Sequence, residues 1–177
     1  ELLQARWEHI DVNAGTWTIP AGNAKNAKTH TVFLSEFAAR HFAELRSLTG
    51  WSEWVYPATR KDGHVCPKSI TRQVDDRQRD NALTKRSQAT GTLLLPGGKW
   101  TPHDLRRTGA TMMGDLGTLS EVIEKCLNHT EANKMKRVYQ RHELQAERRE
   151  AWRRLGERLD EVINDKSRKV IPIRRAG

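Results

Sequence analysis

Apolar and polar positions divide the chain into an N-terminal stretch of short runs and a longer part with helical spacing. Residues 1–6 read as the end of a helix. The run Trp7–Asp11, a turn over Asn13-Ala14-Gly15 and the run Thr16–Ile19, stopped by Pro20, predict a hairpin. A small, polar, lysine-bearing segment over residues 21–29 leads to a third strand at Thr31–Leu34, completing a small antiparallel sheet. Ser35 suits an N-cap, and Ala38, Phe42, Leu45 and Leu48 then share one face of a helix that Gly50 ends. Pro67-Lys68-Ser69 opens a second helix that fades after Arg77. Residues 78–98 carry no period and are broken by Gly and Pro around Leu93-Leu94-Leu95, so an irregular, partly mobile connection is expected.

Helical spacing returns after Trp100. Thr101 as N-cap and Pro102 at the first helical position start one helix. Thr118-Leu119-Ser120-Glu121 has the form of a capping box, opening a short helix that carries Val122, Ile123 and Leu127. Leu144, Ala151, Trp152, Leu155, Leu159 and Val162 then line one face of a long charged helix from about Glu143 to Asn164. That stripe must be covered by its own domain or by a neighbouring protomer, and Trp152 and Leu155 are expected to be mostly buried. The expected fold class is mainly α with a small antiparallel β-sheet near the N-terminus, an α+β arrangement. One domain spans residues 1–165 and a basic tail spans residues 166–177.

The charge adds a partner class. Lys and Arg number 31 against 22 Asp and Glu, giving a formal charge of +9, which favours polyanions and nucleic acid first. Charge alone does not separate such a surface from a solvated basic one. Cys66 and Cys126 form no spaced framework and read as free thiols of a reducing cytoplasm. His64 and Cys66 lack a second ligand pair at finger-like spacing, so no metal site is expected. No apolar run reaches membrane-span length and no signal peptide is visible, so no membrane partner is expected. The chain opens on Glu1 rather than Met and reads as a piece of a longer protein.

Candidate chemistry sits in three places. In Thr101-Pro102-His103-Asp104-Leu105-Arg106, His103 and Arg106 lie three apart on the first turns of a helix, beside its free N–H groups. A histidine and a guanidinium there suit a phosphate, and Asp104 suits either the first turn or a neighbouring cation. By itself this pair favours a capped surface helix with an incidental His and Arg. Leu127-Asn128-His129 is followed ten residues later by Tyr139, in the basic setting Lys136-Arg137-Val138-Tyr139. The other tyrosine, Tyr56, stands in the apolar run Trp54-Val55-Tyr56-Pro57, where packing is the simpler role.

H-x-x-R, then L-x-H, then a tyrosine one short helix later: in this order the chain resembles the tyrosine recombinase family. The opening Glu1-Leu2-Leu3-Gln4-Ala5-Arg6-Trp7 resembles the segment just after the family's first catalytic arginine. Residues 25–34, Lys25-Asn26-Ala27-Lys28 onward, resemble its lysine-bearing hairpin. The ten-residue spacing and the following Gln140-Arg141-His142-Glu143-Leu144 look most like integrases of prophages and genomic islands. The resemblance implies a C-terminal catalytic domain of a site-specific recombinase. Tyr139 matches the nucleophile that forms a 3′-phosphotyrosine bond. Arg106 matches the ligand of the non-bridging oxygens, and His103 handles the nucleophile's proton. His129 adds a phosphate donor, Lys25 acts as general acid, and Glu1 and Asp104 support the site.

A phenol with a pKa of about 10 is ionised only about once in a thousand molecules at neutral pH, so such help is needed. The resemblance implies no metal or other cofactor. It implies double-stranded DNA attachment sites, other protomers in a synapse and accessory DNA-bending proteins as partners, in a bacterial, nucleoid-associated setting. The family's first arginine falls three residues before Glu1, so the chain as given is expected to be impaired. The competing expectations are a degenerate, non-catalytic DNA-binding integrase, a type IB topoisomerase-like enzyme, and a plain basic helical domain with a protein partner.

Overall fold

A computed structural model describes residues 1–59, 62–129 and 143–164. Three strands, β1 (Ile10–Asp11), β2 (Thr16–Ile19) and β3 (His30–Phe33), form an antiparallel sheet in the order β1-β2-β3. Ile10 lies opposite Trp17, and Ile19 opposite His30. The tight turn between β1 and β2 works because Asp11 accepts the Ala14 N–H at 2.9 Å and Gly15 takes a φ of 62°. A side chain would strain that left-handed position.

The sheet is expected from the sequence, but its leading edge differs. Trp7–His9 forms a 3₁₀ turn rather than strand, and Leu2–Gln4 another in place of a helix end. The backbone N–H of Trp7 donates to Glu53 and its indole N–H to the Thr49 carbonyl, at 3.0 and 3.2 Å. These tertiary bonds replace the ladder that a longer strand would need.

Helix α1 (Glu36–Thr49) starts where Ser35 Oγ accepts the Ala38 N–H at 3.3 Å. Its Phe42 meets Trp7 and Trp17 with ring centroids 6.5 and 6.3 Å apart, closing a first core with Ala5, Ile10 and Val55. Leu48 shares the stripe by spacing yet stays exposed.

Helix α2 (Lys68–Arg77) has the bounds its sequence predicts. Residues 78–98 contain no helix or strand, as expected, and they are bonded back onto α2. Buried Asp76 pairs with Arg86 at 2.7 Å, and this bond holds its carboxyl below the usual carboxylate range. Gln78 bonds the backbone of Trp100 in both directions, at 2.7 and 2.8 Å, and the Trp100 indole donates to Leu93 at 3.0 Å.

Three further helices, α3 (Pro102–Asp115), α4 (Ser120–Cys126) and α5 (Gln145–Ile163), build the second core. Met113, Val122, Cys126, Ala151 and Leu155 fill it, with Trp152 and Leu159 against them. The stripe on α5 is therefore covered within the chain itself, while Val162 remains exposed. Gly156 lets α5 approach the start of α1, since a Cβ there would lie 2.2 Å from Ser35 Oγ. An Arg40–Asp160 ion pair ties the same two helices.

The expected capping box at Thr118–Glu121 is not formed: Leu119 is the N-cap and no side chain caps α4. Thr118 is already committed to the end of α3. Its N–H donates to Met113 and that of Gly117, at a φ of 83°, donates to Gly114. Those two bonds make a Schellman motif. Among the described residues, no helix is long and apolar enough to cross a membrane.

Leu155 is the residue on which this core can be tested. Leu155→Ala should lower unfolding free energy by about 2–5 kcal/mol, because it opens a cavity where α3, α4 and α5 meet. Val162→Ala, at an exposed position, should change it by less than about 0.5 kcal/mol. Urea unfolding of the two variants checks this, and equal effects would show that the stripe is not packed as described.

Candidate active site

The first turn of α3 is held by Asp104, whose carboxylate accepts both the backbone N–H and the hydroxyl of Thr101 at 2.9 Å. These bonds keep the Asp104 carboxyl below its usual range, and Arg107 pairs with it at 3.2 Å. Asp104 thus fixes the helix start. His103 is exposed on this turn and has no hydrogen-bond partner among the described residues. Arg106, half-buried one turn on, donates to the carbonyl of Leu127.

Leu127 belongs to the end of α4, which closes in a second Schellman motif. Asn128, at a φ of 55°, donates its N–H to Lys125, and His129 donates its own to Glu124. Asparagine tolerates this left-handed conformation better than most residues. The motif turns His129 out to the surface, where its Nδ1–H donates to the Glu124 carboxylate at 2.6 Å. Nε2 is the ring nitrogen left without a hydrogen-bond partner among the described residues.

Lys25 arrives from the other side, on the loop between β2 and β3. Its backbone N–H donates to Glu1 Oε1 at 3.2 Å and its side chain is exposed. The next residue, Asn26, donates from Nδ2 to Asn128 Oδ1 at 2.8 Å and to the Asn128 carbonyl at 3.5 Å. His30, at the start of β3, is buried. The last turn of α4 is a place where helix carbonyls lack partners of their own. Here those of Leu127 and Asn128 receive donors from Arg106 and Asn26. The sheet loop, α3 and α4 are thereby bonded to one another at the point where Lys25, Arg106 and His129 emerge.

Residues 1–146 match the Phage integrase family. The chain belongs to that family. It is also 32% identical over 149 residues to Prophage integrase IntA of Escherichia coli (strain K12), covering 84% of this chain. The same match covers 32% of that relative, so the chain spans about a third of its length. No solved structure matches the chain.

In this phage integrase chain, the structure brings together Lys25, Glu1, Arg106 and His129, with Asp104 fixing the helix that carries Arg106. His103 lies on the same helix start. Tyr139 and residues 166–177 fall outside the described residues. Sequence reasoning missed Asn26, Asn128, His30 and Arg148. An Asn just past an apolar helix end is a signal for a left-handed cap, and it was available. Arg148 had none: on a charged helix nothing marks the one arginine that is 4% exposed. It donates to the Thr31 carbonyl, pairs with Glu143 at 3.7 Å and lies over the Phe33 ring.

Burial, then the nearby charges of Arg148 and Arg106, push the pKa of His30 down, against opposing contributions from the Cys126 carbonyl and Glu1. The folded state therefore resists protonation that the unfolded chain accepts at about 6.5. Stability should be full above that value and be lost as pH falls through the lower folded-state value. His30→Gln, which keeps a polar side chain at this position but does not titrate, should flatten this part of the curve. Thermal melts across the range check it, and an unchanged slope would assign the effect to other groups.

Proposed function

We propose that this chain is the catalytic domain of a site-specific DNA recombinase that cuts and rejoins strands through Tyr139, integrating or excising a mobile element. The observation that carries the reading is the direct bonding of the Lys25 loop to the turn of His129, which is bonded in turn to Arg106. These are residue types that phosphoryl transfer to a tyrosine requires, and the segments that carry them are bonded to one another.

In this reading the Tyr139 oxygen attacks the scissile phosphorus, and its proton passes to His103. A phosphorus–tyrosine bond forms as the bond to the 5′ oxygen breaks. Arg106 and His129 bind the non-bridging oxygens; a guanidinium's fork suits two of them, and the Leu127 carbonyl fixes its direction. Lys25 delivers a proton to the departing 5′ oxygen. Glu1 steadies the Lys25 backbone and Asp104 steadies the start of α3. Rejoining reverses the step with a 5′-hydroxyl from the partner strand. Double-stranded attachment-site DNA is the substrate. Further protomers, together with DNA-bending proteins, complete the synapse, and the basic residues 166–177 contribute to protomer contacts.

The test is to incubate the full-length protein with an attachment-site duplex nicked just past the scissile phosphate, so that the released fragment diffuses away and the ester persists. A covalent adduct whose modified peptide contains Tyr139 supports the reading. Salt-sensitive binding with no adduct would instead make the protein a non-catalytic DNA-binding relative.

A further inference from the structure

Lys25 and His129 lie far apart in the chain, and neither side chain is bonded to the other. Their immediate neighbours are. Asn26 donates to both oxygens of Asn128, at 2.8 Å to Oδ1 and 3.5 Å to the carbonyl, across 102 residues of sequence. Both partners are half-buried. Each is also rigid on its own side. Asn26 Oδ1 accepts the Lys28 N–H at 3.1 Å, closing a local turn over residues 26–28, just after Lys25. Asn128 occupies the left-handed position of the Schellman motif that sets His129.

We propose that Asn26 and Asn128 are a pair of positioning residues, a latch that places the Lys25 loop and the His129 turn as one unit. This deepens the recombinase reading and rests on it. The physical reason is the exposure of the loop. Lys25, Ala27, Lys28 and Thr29 are all exposed, so little burial holds the loop. Among the described residues, the Glu1 bond, the Asn26 bonds and a longer Asn23–Gln4 bond of 3.4 Å tie the residues around Lys25 to elements beyond the loop. A general acid must lie within hydrogen-bond reach of the leaving oxygen while the phosphate is held elsewhere. A latch between the two carriers fixes that separation before DNA arrives. Asn128 suits the task twice over: it accepts the left-handed φ and offers a side-chain oxygen that glycine, equally content there, lacks.

The experiment uses the full-length integrase, with single-turnover cleavage of the nicked duplex carrying either a normal phosphodiester or a 5′-bridging phosphorothiolate. A thiolate leaves without a proton and so reports only the acid's contribution. Asn26→Ala and Asn128→Gly are the variants, the second chosen because it preserves the backbone turn. Each should slow normal cleavage by about 10-fold to 100-fold, the scale of a small misplacement. Each should regain most of that loss on the phosphorothiolate, although Asn128 neighbours His129 rather than Lys25. The double variant should be no slower than either single one, since both remove the same bond.

Equal impairment on both substrates, multiplicative losses in the double variant, or no effect of either substitution would overturn the latch. Lys25→Ala serves as the separate check on the underlying reading. If that variant is not rescued by the phosphorothiolate, the general-acid assignment falls. The latch is then judged by the double-variant comparison alone: non-additive losses retain it and multiplicative ones remove it.

Discussion

Tyr139→Phe in the full-length integrase is expected to remove the covalent protein–DNA adduct altogether, with turnover down by at least about 10⁴-fold, as for other lost nucleophiles. Duplex affinity should hardly change. Affinity for DNA comes mainly from cations meeting phosphates, and the substitution removes a neutral hydroxyl. The chain's other tyrosine offers no substitute. Tyr56 packs against the first core and burial pushes its phenol pKa up, which makes it a poorer nucleophile than a phenol in water. Suicide-substrate gels with peptide mapping check the expectation. An adduct that survives the substitution, or one mapped to Tyr56, would remove Tyr139 from the mechanism.

Arg106→Ala carries the second large effect. Loss of a preorganised donor to a developing oxyanion costs about 10²- to 10³-fold in rate. Arg106 also donates to Leu127, so its loss also frees that carbonyl at the α4 end. Arg106→Lys should recover little of the rate, because an ammonium cannot grip two oxygens and the Leu127 carbonyl in fixed directions. Unlike Lys25→Ala, neither variant should be rescued by the phosphorothiolate, since the defect lies at the non-bridging oxygens. Rescue of Arg106→Ala on that substrate would instead place the guanidinium at the leaving group. Single-turnover rates on the two substrates decide between these outcomes.

The site was partly legible because some of its chemistry is local. His103 and Arg106 share a helix start that Thr101 and Pro102 announce, and α3 begins where they predict. Lys25 follows a strand that Pro20 ends, and the exposed loop is there. The remaining parts were not legible, because each is a contact between distant segments. Asn26 meets Asn128 across 102 residues and Arg148 meets Thr31 across 117, and no spacing rule spans such distances. His30 stood just before the expected strand Thr31–Leu34, and nothing local marks its burial at the start of β3.

The fold divides along the same line. Sequence by itself determined the α+β class, β2, the start of α1, the whole of α2 and the start of α3, since period, caps, Pro and Gly act within a few residues. Tertiary structure decided the rest. Trp7–His9 became a 3₁₀ turn because Thr49 and Glu53 offered its donors better partners than a lengthened ladder. Thr118 could not complete a capping box on α4 because the N–H that Glu121 would have to bond was already closing α3. The stripe on α5 settled on its own domain, where Met113, Val122 and Cys126 present matching apolar surface. In each case a local preference worth about 1 kcal/mol yielded to burial and hydrogen bonding that only the assembled chain supplies.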